Sequence, residues 1–253
     1  MIPKIIHYCW FGKREIPKIL CSYIETWNKK LQDYTFYLWN EDNFDLNLCP
    51  FARQAYDAGY YAHVSDYVRI YALYHYGGIY LDTDIEVIKP FDSILNNEIL
   101  LSCDDIGNIS GAFIAAKQSH PFIKEIMKTY ESVPFFAGNG KLSNQVINYW
   151  IENLLIRYGY KYRNKIQILQ FNPGRNDIYI YSDEYFEAKS LVSGKFHITR
   201  KTYCIHHHTL LWVPWFTRVI RFFRIKIFVP ILGQITYVKL CKFLKTKILK
   251  GTF

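Results

Sequence analysis

The sequence predicts an α/β domain, a mainly parallel sheet flanked by helices, followed by a basic amphipathic helical tail. Three observations carry this. Short apolar runs of strand length alternate with longer segments of helical period, the pattern of strand–helix–strand units. Half of the 253 residues are hydrophobic and only 21% are charged, which suits one large core and argues against a disordered chain. The charge is also unevenly placed. Residues 209–253 hold nine basic and no acidic side chains, leaving 22 of each sign in the first 208.

Taken in order, residues 3–11 read as a buried first strand whose apolar run ends at Gly12. A helix is expected over 17–29 and a second strand over 35–39, before the polar turn Asn40-Glu41-Asp42-Asn43. Helices follow over 50–58 and 62–76. In the second, Asp66, Arg69, Ile70 and Leu73 fall at helical spacing and share a face. Gly77-Gly78 stops that helix. Residues 79–81 form a short buried strand that runs straight into Asp82-Thr83-Asp84. Extended chain at 85–88 is broken by Pro90. Strands at 99–103 and 111–116, helices at 121–130 and 142–156, and late strands at 166–171, 178–181 and 202–206 complete the pattern. No internal repeat interrupts it. The one shift in composition, near 209–214, divides a domain over 1–212 from a tail over 213–253.

The six cysteines (Cys9, Cys21, Cys49, Cys103, Cys204, Cys241) show neither a C-x-x-C pair nor Cys/His zinc spacing. The N-terminus lacks an apolar segment of signal-peptide length. No uninterrupted apolar stretch reaches the roughly 18–20 residues that span a bilayer. A reduced, intracellular protein is the expectation. Because the first 208 residues are neutral, a general nucleic-acid surface on the main domain is excluded as a partner. The 22 tyrosines fit either sugar contacts or aromatic core packing.

Asp82 and Asp84 stand one residue apart just after a buried strand, where α/β sheets collect their ligands. Two such carboxylates can hold a hard divalent cation, or they can be a solvated turn. Their surroundings narrow the choice. Residues 65–90, SDYVRIYALYHYGGIYLDTDIEVIKP, resemble the glycosyltransferase family whose sugar-binding region contains a DXD motif. That family includes bacterial capsular-polysaccharide enzymes and, more distantly, the glucosylating domains of large clostridial toxins. Its pattern is met by Ser65, Asp66, Arg69, Tyr71, Gly77, Gly78, Tyr80, Asp82 and Asp84.

Residues 2–12, with Cys9, Trp10 and Phe11, look like the family's opening strand, and the resemblance implies that Trp10 stacks on the donor's base. Ile205-His206-His207-His208 with Trp212 resembles the family's closing His-His…Ser-Trp segment. Leu210 and Leu211 depart from it, standing where the family commonly has Gly-Ser. Asn108-Ile109-Ser110-Gly111-Ala112 is similar to another family segment, and with Asp104 and Asp105 it is expected to line the sugar or acceptor side. The resemblance runs in order over 1–212. It implies a GT-A-like (Rossmann-like) fold, a UDP- or GDP-sugar donor, Mn²⁺ or Mg²⁺, and retention of anomeric configuration.

On this reading a cation held by Asp84, with Asp82 acting partly through water or ribose, neutralises the departing diphosphate as a Lewis acid. Arg69 reaches a phosphate or holds Asp66 in place, and Asp66 accepts hydrogen bonds from sugar or ribose hydroxyls. An ordinary helix ion pair is the alternative for these two. His206 or His207 supplies a third metal ligand. Tyr80, Thr83 and Asn108 complete the donor side with Cys9, Trp10 and Phe11.

In the tail, Arg218, Arg221 and Arg224 recur every three residues among aromatic and aliphatic side chains, and Lys239, Lys242, Lys245 and Lys250 resume the pattern beyond Pro230. A helix so composed suits an anionic membrane interface, each basic residue adding about 1 kcal/mol there. Helices docked on the domain or on a partner are the alternative. The expectation is a hexosyltransferase that is cytoplasmic and peripheral on the inner face of the cell membrane, building a capsule or lipopolysaccharide glycan on a lipid-linked acceptor. Two other classes stay open: an inactive glycan- or lipid-binding module, and a nucleotide-sugar hydrolase.

Overall fold

The first apolar run forms β1 (Ile5–Cys9), and the elements follow in nearly the expected order. They are α1 (Lys18–Lys30), β2 (Thr35–Trp39), α2 (Pro50–Asp57), α3 (Tyr61–Tyr76), β3 (Gly78–Leu81), β4 (Ile85–Val87), β5 (Ile99–Cys103) and β6 (Ile109–Ala116), then α4 (Pro121–Ser132), α5 (Ile147–Ile156), β7 (Gln167–Gln170), β8 (Asp177–Tyr181), α6 (Asp183–Phe186), β9 (Cys204–His206) and α7 (Trp215–Phe223). This computed structural model describes residues 1–137, 142, 146–171, 177–213 and 215–240. Part of the helix expected over 142–156, and Pro214, Cys241, Lys242, Lys245, Lys247 and Lys250 of the tail, lie outside the described residues.

Seven strands form one sheet in the order β2-β1-β3-β6-β5-β8-β7. Five of them run the same way, so the α/β reading stands, while β6 and β7 run against them. The opposed β6 has a simple cause. Only residues 104–108 separate it from β5, and so short a connection can join only antiparallel neighbours. Strands β3, β5 and β6 are buried throughout, as central strands covered on both faces must be. Alternation along β3 sends Ile79 and Leu81 into one core with Trp27, Phe113 and Phe186, and Tyr80 into the other with Val64, Tyr67 and Ile70 of α3.

The late strand β9 departs from expectation. It leaves the main sheet and pairs antiparallel with β4, in a small second sheet with Ile85 opposite His206. α3 ends at Gly77 (φ +66°) and Gly78 (φ +107°), conformations that favour glycine. A Cβ on Gly78 would stand 2.6 Å from the carbonyl oxygen of Ile5, so the glycine also lets β3 lie close to β1. The five strands of common direction all finish at one edge of the sheet. Trp10, Asp82 and Asp104 follow β1, β3 and β5 there, and α6 follows β8.

Beyond α7 the chain stays helical through residues 224–232 and again over 234–240. Among the described residues no helix is long and apolar enough to cross a membrane.

Candidate active site

Asp82 and Asp84 leave the end of β3 in a tight turn, in which the Ile85 amide donates to the Asp82 carbonyl at 3.0 Å. The pairing of β4 with β9 then brings His206 beside the turn, its Nε2 3.3 Å from Asp84 Oδ1. Thr209 closes the other side. Its amide (2.8 Å) and hydroxyl (3.0 Å) both donate to Asp84 Oδ2. Asp82, Asp84 and His206 each offer a ligand atom within 4.8 Å of the others. Two carboxylates and an imidazole form a donor set that suits a divalent cation.

Behind His206 stands a residue that sequence reasoning missed. Glu187, just past α6, is 2% exposed, and its carboxylate lies 2.9 Å from His206 Nδ1 and 3.5 Å from His208 Nε2. Glu187, His206 and His208 also converge within 4.8 Å. Burial pushes the carboxyls of both Asp84 and Glu187 upward, but His206 outweighs it and leaves each below its ordinary value. Burial likewise works against a charge on His206, and the two carboxylates override it, so that ring holds its proton well above the usual pH. Burial and then the neighbouring His206 hold His208 down at about 3. His207 turns away, as strand alternation requires. It contacts Glu86 at 2.8 Å and stacks on Tyr23, so of the two proposed histidine ligands only His206 joins the aspartates.

The pair on α3 lies deeper than expected. Arg69 is 5% exposed and every nitrogen of its guanidinium is engaged. Nη2 meets Asp66 Oδ1 at 2.9 Å, Nη1 donates to the Gly111 carbonyl at 2.7 Å and lies 3.4 Å from Asp82 Oδ1, and Nε donates to the Ser65 carbonyl. Tyr80 supports the same carboxylate, its hydroxyl donating to Asp82 Oδ1 at 3.0 Å while Arg69 lies over its ring. Arg69 thus braces both Asp66 and Asp82. Asp66 is similarly enclosed, accepting from Arg69 and from the Ile147 amide (3.2 Å), and burial raises its pKa even against Arg69.

On the donor side Trp10 is half-buried at the end of β1, its indole N–H donating to the Arg14 carbonyl at 2.6 Å. Thr83 is half-buried within the turn. Cys9 and Phe11 point into the main core, and burial lifts the Cys9 thiol to about 12, so their side chains are packing groups. Asp104 accepts from the amides of Ile106 and Asn108 and from the Asn108 side chain, all within 3.0 Å, which shapes the loop between β5 and β6. Burial still pushes Asp104 up to about 6. Ser110 is buried and accepts from the Ala112 amide.

The tail docks along this same edge. Arg221 donates to the His208 carbonyl, Arg224 to the Leu191 carbonyl at 2.6 Å, and Gln234 to Asp105 Oδ2 at 2.5 Å. Its other side is bare: Trp215 is 69% and Ile231 74% exposed.

Residues 17–101, which include the DXD turn, match the family described as "Glycosyltransferase sugar-binding region containing DXD motif". Inositol phosphoceramide mannosyltransferase 3 of Schizosaccharomyces pombe is 30% identical over 142 residues, 54% of this chain and 39% of that protein. An uncharacterised glycosyltransferase of Acanthamoeba polyphaga mimivirus is 27% identical over 85% of each chain. A solved glycosyltransferase involved in glycosylation of the major capsid of PBCV-1 shares 14% identity over 86% of this chain and 96% of that one, at a TM-score of 0.46. The chain spans only 39–43% of the length of the three Schizosaccharomyces pombe family relatives it matches.

Proposed function

We propose that this chain is a metal-dependent hexosyltransferase of the DXD family that takes its sugar from a UDP- or GDP-sugar and delivers it to a lipid-linked glycan acceptor at a membrane surface. The observation that carries the reading is the convergence of Asp82, Asp84 and His206 at the edge where the parallel strands end. A cation bound there would supply the positive charge that stabilises a departing nucleoside diphosphate. Two carboxylates suit Mg²⁺ or Mn²⁺, and the imidazole tips the balance toward Mn²⁺.

The protein's own part is to hold these ligands still. Arg69 and Tyr80 fix Asp82, Thr209 fixes Asp84, and Glu187 sets the His206 ring so that Nε2 faces the aspartates. Trp10, at the end of β1, is the platform for the base. Asp66, braced by Arg69, sits behind the sugar side, and Asp105 and Ser110 border the acceptor side. Transfer with retention of configuration, into a capsule or lipopolysaccharide glycan, belongs to the same reading.

Two features favour a lipid-borne acceptor at the inner face of a membrane. Relatives of this chain are named for mannosylating inositol phosphoceramide, a lipid, which makes mannose the first sugar to test. The tail presents an apolar face with Arg218, Lys226 and Lys239 in the same segment. The test is a thermal-shift screen of UDP- and GDP-sugars with and without Mn²⁺, since a ligand stabilises the state that binds it, followed by product analysis. The reading expects a metal-dependent shift with one donor and product only when acceptor is present. Release of free sugar without acceptor makes the chain a hydrolase. No shift with any donor and no turnover contradict the reading.

A further inference from the structure

We propose that Lys189, Arg221 and Arg224 form a binding site for the donor's diphosphate, so that the tail completes the active site as well as facing the membrane. The inference rests on the nucleotide-sugar reading above and adds residues that the family match, ending at residue 101, does not reach.

The three cations come from two separate segments, the loop after α6 and the tail, and two of them meet: Lys189 and Arg221 donate to the adjacent carbonyls of His207 and His208. These half-buried cations have no carboxylate within 4.0 Å among the described residues, whereas Arg69, Asp84 and Glu187 at the same edge are all paired. The crowding has an electrostatic cost. Burial and then Arg221 lower the Lys189 pKa, while burial and then Arg224 lower that of Arg221. Asp84 offsets part of it, its charge opposing both shifts. Like charges held together beside a metal-binding aspartate suit an anion that is shared with the metal.

Their unused hydrogen-bonding capacity agrees. Arg221 anchors through Nη1 to the His208 carbonyl, and its buried Nε has no partner. Arg224 anchors through Nη2 to the Leu191 carbonyl, and its buried Nε is likewise unpartnered. The Lys189 ammonium, which also lies 5.2 Å over the Phe196 ring, donates to the His207 carbonyl at 3.2 Å and has further donors to offer. The backbone that Lys189 and Arg221 grip, at His207 and His208, runs between His206 and Thr209, the two residues on Asp84. A nucleoside diphosphate needs more positive charge than one divalent cation supplies, and arginine forks match phosphate oxygens well.

The experiment is calorimetry of UDP and GDP binding in the presence of Mn²⁺, with the corresponding nucleosides and anionic vesicles as separate arms. The full-length chain is compared with Lys189→Gln, Arg221→Gln and Arg224→Gln. Loss of one charged contact is expected to weaken diphosphate binding roughly tenfold or more and to leave nucleoside binding and melting temperature close to wild type. Should an arginine variant fail to fold, Lys189→Gln on the domain itself carries the test. If the wild type binds UDP or GDP and the folded variants bind it as tightly, the inference is overturned while the donor reading stands. Equal loss of nucleoside and diphosphate affinity assigns these residues to stapling the tail and also overturns it. Loss of vesicle binding with unchanged diphosphate affinity assigns the phosphate to a lipid headgroup and overturns it too. If the wild type binds neither nucleotide, the donor reading itself has failed.

Discussion

Replacing Arg69 by Met removes the guanidinium that lies between Asp66 and Asp82. Asp66 is 6% exposed and depends on Arg69 at 2.9 Å, while Asp82 lies 3.4 Å from the same guanidinium. Methionine fills part of the space but leaves the charges uncompensated, and breaking a buried pair in this way costs about 3–5 kcal/mol. For a domain of this size 1 kcal/mol moves the melting temperature by about 2–4 °C, so a fall of roughly 6–20 °C is expected. The deficit should shrink at lower pH. Burial already raises the Asp66 pKa above its unfolded value, and losing Arg69 raises it further. A carboxyl whose folded pKa is raised binds its proton more readily in the folded state, so stability is regained as pH falls through that pKa. Arg69→Lys keeps the charge without the fork and should fall between the two. Thermal melting followed by circular dichroism at pH 8 and pH 5 measures all of this. A methionine variant that melts within about 2 °C of wild type at both values refutes the bracing role.

The other predictions concern binding. Glu187→Gln should weaken Mn²⁺ affinity about 10–100-fold, because the group that orients His206 loses its charge, and a metal titration reads this directly. Trp10→Ala should weaken nucleotide binding by roughly 1–3 kcal/mol if the indole stacks on the base; unchanged calorimetric affinity in a folded variant would leave Trp10 as an edge residue that only packs. A chain shortened after Trp212 should still melt cooperatively, though a few degrees lower, since Arg221, Arg224 and Gln234 tie the tail to the domain. The shortened chain should no longer co-sediment with anionic vesicles, and binding by the full chain should weaken as salt rises.

Much of this architecture is legible in the sequence. The strands at 35–39 and 99–103 stand where the apolar runs place them, and the spacing of Asp66 and Arg69 fixes their ion pair. Strand direction is not legible. A strand buried on both faces gives the same apolar run whichever way it points, so β6 reads like a parallel strand. The contact of Arg69 with Asp82 needs α3 packed beside β3, which no local spacing reveals. Alternation separates His206 from His207, but only the register of β9 against β4 decides which ring meets Asp84. Glu187 carries no local signal at all: it is one acid among several until the fold buries it behind two histidines. The arginines of the tail read either as a membrane stripe or as part of a docked helix, and tertiary packing ties two of them to the His208 and Leu191 carbonyls of the domain.

The claim that Asp84 holds the metal for sugar transfer is tested most directly by Asp84→Asn. An amide keeps the shape and can still accept from Thr209, but it is a poor ligand for a hard cation. The measurement is sugar transfer to a lipid-linked acceptor as Mn²⁺ is titrated into chelator-treated protein, with melting temperature as the control for folding. The account predicts that the wild type is inactive until metal is added and that the folded variant stays inactive at every concentration. Full transfer by Asp84→Asn in the presence of chelator would contradict it.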